Sequence, residues 1–325
     1  MNRLEKFLEK VNNATNFSGE MCFNENMSLH TTFKVGGKAD LWIKPAKECF
    51  ISYTKTLFYL AEKENIPIFI LGGGANIVVL DEGIRGIVLD TGFWTGFEII
   101  EEKEIFILSG TQTNNAVNEA LEQGFSGMEF LAGLPGSIGG AVWMNARCYE
   151  KSIYNILIEV EILDEELRQT KIPFKVEDYD YKRSPFQKRK VLILGAHFST
   201  NKKDKKEMSE EMEKYRFDRE NKGHYRYPSA GSVFKNNRDF GKPTGKIIDE
   251  LGLRGLSIGG AQVAPWHGNI IINTGGATAK DIRALVMEIS LQTKKKLGIT
   301  LEPEIIFSPT PPANSNVLGT FFSNS

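Results

Sequence analysis

An α+β fold in two or three domains is what this chain predicts, and three observations carry the prediction. Its 325 residues exceed what one small core accommodates. Segments with helical spacing of apolar residues are interleaved with short apolar runs of strand length. Two glycine-dense segments, Leu71-Gly72-Gly73-Gly74-Ala75-Asn76 and Ala132-Gly133-Leu134-Pro135-Gly136-Ser137-Ile138-Gly139-Gly140-Ala141, each follow an apolar stretch. A formal net charge of −1 argues against a general nucleic-acid or membrane binder, so any basic surface is local. Cys22, Cys49 and Cys148 are odd in number and lack a CxxC pair, which fits a reducing compartment and no metal site. The start is too charged for a signal peptide, and no apolar run approaches the ~20 residues of a membrane span. A cytoplasmic protein without membrane insertion is expected.

The elements follow in order. Leu4, Phe7, Leu8 and Val11 recur at helical spacing, as do Phe50, Tyr53, Leu57 and Leu60, the second helix ending before Pro67. Residues 68–71 read as a buried strand entering the first glycine segment. Residues 77–80 and 86–89 read as strands joined by an Asp81-Glu82-Gly83 turn, and residues 97–109 as a hairpin. A helix over 114–123 stops at Gly124. Alternation over 155–163 predicts a half-buried strand. Residues 202–222 carry dense charge of both signs and read as a solvated helix or linker. Helices are expected over 244–251 and 278–297, the latter opened by a Thr278-x-x-Asp281 cap and closed by Gly298. Residues 308–325 lack periodicity and read as a flexible tail.

Glycine clusters let backbone N–H groups approach a phosphate without a Cβ in the way. Two in one chain point to a dinucleotide. Ile77 stands where the Gly-x-Gly-x-x-Gly fingerprint needs its third small residue, and no Walker lysine follows either segment, so a non-Rossmann dinucleotide binder remains.

These segments, with Thr31-Thr32-Phe33-Lys34-Val35-Gly36-Gly37-Lys38-Ala39-Asp40, Tyr227-Pro228-Ser229-Ala230-Gly231-Ser232-Val233-Phe234-Lys235-Asn236, the run from Gly241 to Asp249, Gly259-Gly260-Ala261-Gln262-Val263 and Leu301-Glu302-Pro303-Glu304-Ile305, resemble the UDP-N-acetylenolpyruvoylglucosamine reductase (MurB) family over roughly residues 28–307. The short connection between Phe198 and Tyr227 resembles the type II enzymes, which lack a substrate-covering insertion. The resemblance implies a two-subdomain FAD-binding fold of the vanillyl-alcohol-oxidase (PCMH) kind plus a C-terminal α+β substrate-binding domain. The corresponding division is 1–90 and 91–205 for the FAD-binding subdomains, 206–307 for substrate binding, and 308–325 for the tail. Also implied are NADPH as hydride donor and a monomer that reduces UDP-N-acetylglucosamine enolpyruvate to UDP-N-acetylmuramate for peptidoglycan precursor synthesis. Hydride passes from flavin N5 to C3 and a proton to C2.

Carried onto this sequence, FAD contacts fall to Gly72, Gly73, Gly74, Ala75, Asn76, Gly133, Pro135, Gly136, Ser137, Gly139, Gly140 and Asn145. Asn76, Ser137 and Asn145 serve equally well as turn-capping groups. Neither glycine segment holds His or Cys, so non-covalent FAD is expected. Ser232 matches the proton donor, and Glu304 the active-site acid, whose carboxyl beside flavin is expected to stay protonated and donate to the enolate. Asn236, Lys222 and Arg219 match substrate contacts, although surface charge explains the last two as well. Glu302 reads as solvated, and His267 as structural.

Two departures stand out. The family has Tyr-Arg-x-Ser where this chain has Tyr181-Lys182-Arg183-Ser184, so Lys182 or Arg183 takes the arginine's role. On a regular strand only one of them faces the site, and lysine cannot reproduce a bidentate fork. Asn145-Ala146-Arg147-Cys148-Tyr149-Glu150 replaces small residues and glycines, with Cys148 read as a buried small side chain. An oxidase of the same flavin fold and a catalytically silent flavin or UDP-sugar binder remain as alternatives.

Overall fold

The computed structural model describes residues 3–308. The helix Arg3–Ala14 buries Phe7, Leu8 and Val11 against Tyr53, Leu57 and Phe58 of the helix Phe50–Lys63, as the spacing predicts. Both pack on a four-stranded sheet in the order Gly19–Asn26, Lys38–Pro45, Ile84–Asp90, Ile68–Leu71. The first pair is antiparallel and the others parallel. Parallel neighbours need crossovers, and the helix Phe50–Lys63 supplies one on the way to Ile68–Leu71. That strand delivers the first glycine loop at its end.

A second sheet has five antiparallel strands in the order Gln169–Pro173, Leu157–Leu163, Leu192–Ser199, Glu104–Leu108, Phe97–Glu101. It contains the expected hairpin. The helix Thr113–Gln123 ends at Gly124 in the left-handed region. Leu157–Leu163 is the expected strand, with Val160 and Ile162 buried between half-buried Glu159 and Glu161, and its register shifts against Leu192–Ser199. The second glycine loop runs into the short helix Ile138–Trp143, whose Val142 joins the core beneath the sheet with Phe130, Phe186 and Phe198.

A third, three-stranded sheet (Ser257–Ile258, Ala261–Val263, Ile271–Asn273) packs with the helices Thr244–Glu250 and Ala279–Leu297. The latter has the expected reciprocal cap between Thr278 and Asp281 and ends at Gly298. Phe33, Val35 and Val78 enter this core from the N-terminal part of the chain, and Asn273 Nδ2 donates to Phe33 O at 3.1 Å. The motif around Phe33 is therefore a plug between regions distant in sequence.

Three expectations are corrected and one is extended. Ile77–Val79 and Ile84–Asp90 follow one another through a turn as expected, each in a different sheet. Ile77–Val79 pairs in parallel with Ile306–Ser308, at the far end of the described chain. Ser308 is buried in that strand, outside any tail, while residues 309–325 of the expected tail lie outside the described residues. The charged segment forms the helix Lys205–Asn221, capped by Asp204, and it buries Met208, Met212 and Arg219. It is thus a packed element with one solvated side. Lastly, residues 180–183 form a tight turn closed by Asp180 and Arg183, with Lys182 at φ +57°, in place of a regular strand.

Asp81 joins the N-terminal region to the third core. Its two carboxylate oxygens accept from Ala279 N and Lys280 N, both at 2.9 Å, at the start of the helix Ala279–Leu297. Asp81→Ala is expected to cost about 1 kcal/mol of stability, as lost caps do, seen as a lower midpoint of urea unfolding. An unchanged midpoint would show that the helix start is satisfied without it.

Candidate functional site

The two glycine loops meet backbone to backbone. A Cβ on Gly73 would lie 2.5 Å from Gly136 Cα, and one on Gly72 would lie 2.6 Å from Ser137 Oγ. Glycine is required here by space. Ser137 Oγ accepts from Gly73 N at 3.2 Å and from Gly140 N at 3.3 Å, so one hydroxyl caps the helix Ile138–Trp143 and ties the loops together. Thr32 N donates to Gly74 O at 3.0 Å, which anchors the first loop to the motif around Phe33.

Both loops border a cavity of about 1140 Å³, above the ~300–1,000 Å³ of ordinary small-molecule pockets. Gly72, Gly73, Gly74, Ala75, Asn76, Pro135, Gly136, Ser137, Gly139 and Gly140 line it. Gly133 and Asn145 do not. Gly133 N donates to Asn114 Oδ1 at 2.7 Å and its carbonyl accepts from Tyr225. Asn145 is fully buried, with Nδ2 on Asp180 O at 2.8 Å and Oδ1 accepting from Tyr154 N at 3.3 Å.

Ser232, Glu304 and Lys182 are brought to this cavity from three segments. Ser232 is bridged to Ile270, and Asn269 locks the next two residues. Its backbone carbonyl accepts from Val233 N, while its side chain exchanges two hydrogen bonds with Phe234 (2.9 and 2.8 Å). Glu304 N donates to Val233 O at 2.7 Å, and Glu304 O accepts from Asn76 Nδ2 at 3.0 Å. The serine, the acid and the first glycine loop thus share one hydrogen-bonded arrangement.

Glu304 Oε1 lies 2.5 Å from Lys182 Nζ, with side-chain exposures of 10% and 12%. The carboxyl expected to stay protonated and donate is instead half of a sheltered ion pair. Lys182 is aimed by its turn, which is sewn to the end of the helix Ile138–Trp143. Ser184 Oγ donates to Trp143 O at 2.6 Å, and Gln187 Nε2 to Trp143 O and Lys182 O at 3.1 Å each. Arg183 is exposed and outside the cavity lining. Glu302 is paired with Lys235 at 2.5 Å, also outside the lining.

Of the expected substrate contacts, Arg219 is buried. Its Nε donates to Ala132 O at 3.0 Å, and its Nη2 has no hydrogen-bond partner among the described residues. Lys222 reaches Asp218 at 2.6 Å and remains exposed. Asn236 borders the cavity while its Oδ1 accepts from Thr244 N at 2.9 Å, at the start of the helix Thr244–Glu250. Seven Lys and Arg residues line the cavity against three acidic ones. That wall, a cradle a Cβ would fill and an unpartnered buried guanidinium nitrogen together fit an anionic dinucleotide and a second phosphate-bearing ligand.

Among the lining residues, Tyr149 and His224 escaped sequence reasoning, whereas His267 and Cys148 were read as structural. Tyr149 donates to Tyr215 O or Asp218, both at 3.0 Å, and burial pushes its phenol well above the ordinary range. His224 and His267 face one another at 6.2 Å between ring centroids. Burial lowers both, and with Arg219 close by His224 falls to about 4. Burial raises the Cys148 thiol, so it rests as a neutral donor to Phe130 O. Their residue types carried no signal of these roles, because partners distant in sequence create them. No group of three His, Cys, Asp or Glu side chains that could hold a metal ion occurs among the described residues, and no described helix is long and apolar enough to cross a membrane.

The sequence profile described as UDP-N-acetylenolpyruvoylglucosamine reductase, C-terminal domain, matches residues 223–308, and that of the FAD binding domain matches residues 54–167. A UDP-N-acetylenolpyruvoylglucosamine reductase of Borreliella burgdorferi is 41% identical over 305 residues, covering 94% of this chain and 97% of the relative. The Treponema pallidum protein of that name is 34% identical, covering 88% and 92%. The crystal structure of UDP-N-acetylenolpyruvylglucosamine reductase from Thermus caldophilus superimposes with a TM-score of 0.72 at 29% identity, over 90% of this chain and all of that one.

The histidine pair makes stability depend on pH. Folded His224 resists protonation until about pH 4, whereas an ordinary histidine titrates near 6.5, so the unfolded chain binds the extra proton first. Stability is complete above about 6.5 and is lost as pH falls toward about 4, by at most ~1.4 kcal/mol per pH unit. His224→Gln is expected to flatten the fall of Tm across that window. Parallel wild-type and variant curves would contradict it.

Proposed function

The chain belongs to the UDP-N-acetylenolpyruvoylglucosamine reductase family, and from that premise we propose that it reduces UDP-N-acetylglucosamine enolpyruvate to UDP-N-acetylmuramate in the cytoplasm, as a monomer, with NADPH as electron source. The observation that carries this reading is the convergence of Ser232, Glu304 and Lys182 on the cavity that both glycine loops border. We divide the chain at 90/91 and 205/206 into two FAD-binding parts and one substrate-binding part.

FAD, held without a covalent bond, would supply the two-electron hydride chemistry that links NADPH oxidation to reduction of the enolpyruvyl group. The two glycine loops would hold its diphosphate through backbone amides such as those of residues 74–76 and 136–137, beside the point where Gly73 and Gly136 pack too closely for a Cβ. The protein's own work lies at C2 and the adjoining carboxylate, where negative charge gathers. Ser232 delivers the proton to C2. A serine hydroxyl is a weak acid, so its half-buried place in a cation-rich wall matters more than its intrinsic acidity. Lys182, steadied by Glu304, draws charge into the carboxylate. Arg219, whose Nη2 is buried and unpartnered, and Lys222 receive the UDP phosphates. Tyr149 carries these two cations over its ring, at 5.2 and 5.8 Å.

The purified protein is expected to be yellow, to bleach with NADPH, and to recover its colour when the enolpyruvyl ether is added. Ser232→Ala is expected to bleach normally but to reoxidise ~100- to 10,000-fold more slowly on adding the ether. Reoxidation at the wild-type rate would remove Ser232 from the reaction. Lys182→Ala is expected to lose turnover heavily, and Arg183→Ala to stay near wild type. The reverse ranking would mean that the turn rearranges when substrate binds.

A further inference from the structure

The loop between the helix Ile138–Trp143 and Ile153 holds three non-glycine residues in the left-handed region: Asn145 at φ +44°, Tyr149 at +50° and Glu150 at +64°. Such conformations persist only where surrounding contacts hold them. Here Asn145 bonds Asp180 O and Tyr154 N, Cys148 bonds Phe130 O, and Tyr149 bonds the helix Lys205–Asn221. What this scaffold presents is Arg147. It is half-buried, it lines the cavity, and its guanidinium lies 5.7 Å from the centroid of the Tyr181 ring. Among the described residues it has no acidic partner within ion-pair distance, whereas Lys182 is taken by Glu304 at 2.5 Å and Lys222 by Asp218 at 2.6 Å.

An anion brought toward Lys182 meets a field that the neighbouring Glu304 carboxylate weakens. A lysine also offers a point charge where a planar oxyanion is best held by a fork. Arg147 supplies both missing features from a neighbouring turn. Asn145, two residues before it, hydrogen-bonds the turn that carries Lys182, and Tyr181, beneath the guanidinium, immediately precedes that lysine.

We propose that Arg147 is a specificity-determining residue of this reaction, gripping an oxyanion of the substrate, carboxylate or phosphate, with the guanidinium that position 182 lacks. The inference rests on the reductase reading above.

The test uses FAD-loaded enzyme and three proteins: wild type, Arg147→Gln and Arg147→Lys. It measures KM and kcat for the enolpyruvyl ether, and inhibition by UDP-N-acetylglucosamine, which has the diphosphate but no enolpyruvyl carboxylate. Arg147→Gln is expected to raise KM for the ether by ~10- to 100-fold with a smaller change in kcat, as for a lost charged hydrogen bond. Arg147→Lys is expected to recover only part of that loss. An unchanged UDP-N-acetylglucosamine inhibition constant identifies the carboxylate as the anion gripped, and a parallel rise identifies the diphosphate. The flavin spectrum of each variant reports that the site has folded. Wild-type KM in a folded, active Arg147→Gln enzyme overturns this inference alone. A wild-type protein that binds flavin yet never turns over the ether overturns the reductase reading, and this inference with it.

Discussion

The closeness of two glycine loops about sixty residues apart governs the architecture. Gly73 and Gly136 leave no space for a side chain between them, and Ser137 fills the seam with one hydroxyl that serves both loops. The first loop leaves a sheet that is parallel at its centre, and the second runs from the short turn Glu129–Leu131 into the helix Ile138–Trp143, which packs on the antiparallel sheet. Their contact makes the sheets act as two walls of a single cavity. Two separate turns become one continuous backbone surface on the cavity, without the strand–turn–helix geometry of a Rossmann site. A methyl group at 73 would have to push one loop off the other, and one at 72 would displace the Ser137 hydroxyl that ties them.

The second constraint is the return of the chain. Ile306–Ser308 comes back to pair with Ile77–Val79, immediately after the first glycine loop. Because that strand follows Glu304 by one residue, the acid is set against Asn76 on one side and Val233 on the other. The first glycine loop and the segment that carries Glu304 are therefore tied into one hydrogen-bonded unit. Phe33, Val35 and Val78, buried among residues of the C-terminal core, reinforce the join from below. Precision of this kind suits a site in which a weak acid must stand in the right place.

Strain gathers beside it. Asn145, Tyr149, Glu150 and Lys182 are all non-glycine residues with positive φ, on two turns linked by the Asn145 side chain. Each costs on the order of 1 kcal/mol, which the bonds from Ser184, Gln187, Tyr149 and Asn145 offset. The result is a pair of rigid turns that direct Lys182 into the cavity and leave Arg183 in solvent. Nothing in this arrangement follows from charge alone, since both residues are cationic and adjacent.

What could be read from residue order was whatever is decided within a few positions. Helical spacing at Phe7, Leu8 and Val11, the Thr278–Asp281 cap, the stops at Gly124 and Gly298 and the two glycine loops are all local, so their physics is complete in the string of letters. The motif series likewise pointed to a flavin-binding reductase family. Folding alone settled the partners. Asn76 meets Glu304 across 228 positions, and Ile77 pairs with Ile306. Arg219, on a helix that reads as solvated from its charges, is buried because Ala132 and Tyr149 lie above it. Asn145 proved to brace a turn, and Asn236 to satisfy a helix start, because an amide side chain takes its role from whichever backbone group is brought to it. Contacts of that range depend on how sheets and loops stack, which no window of neighbouring residues encodes.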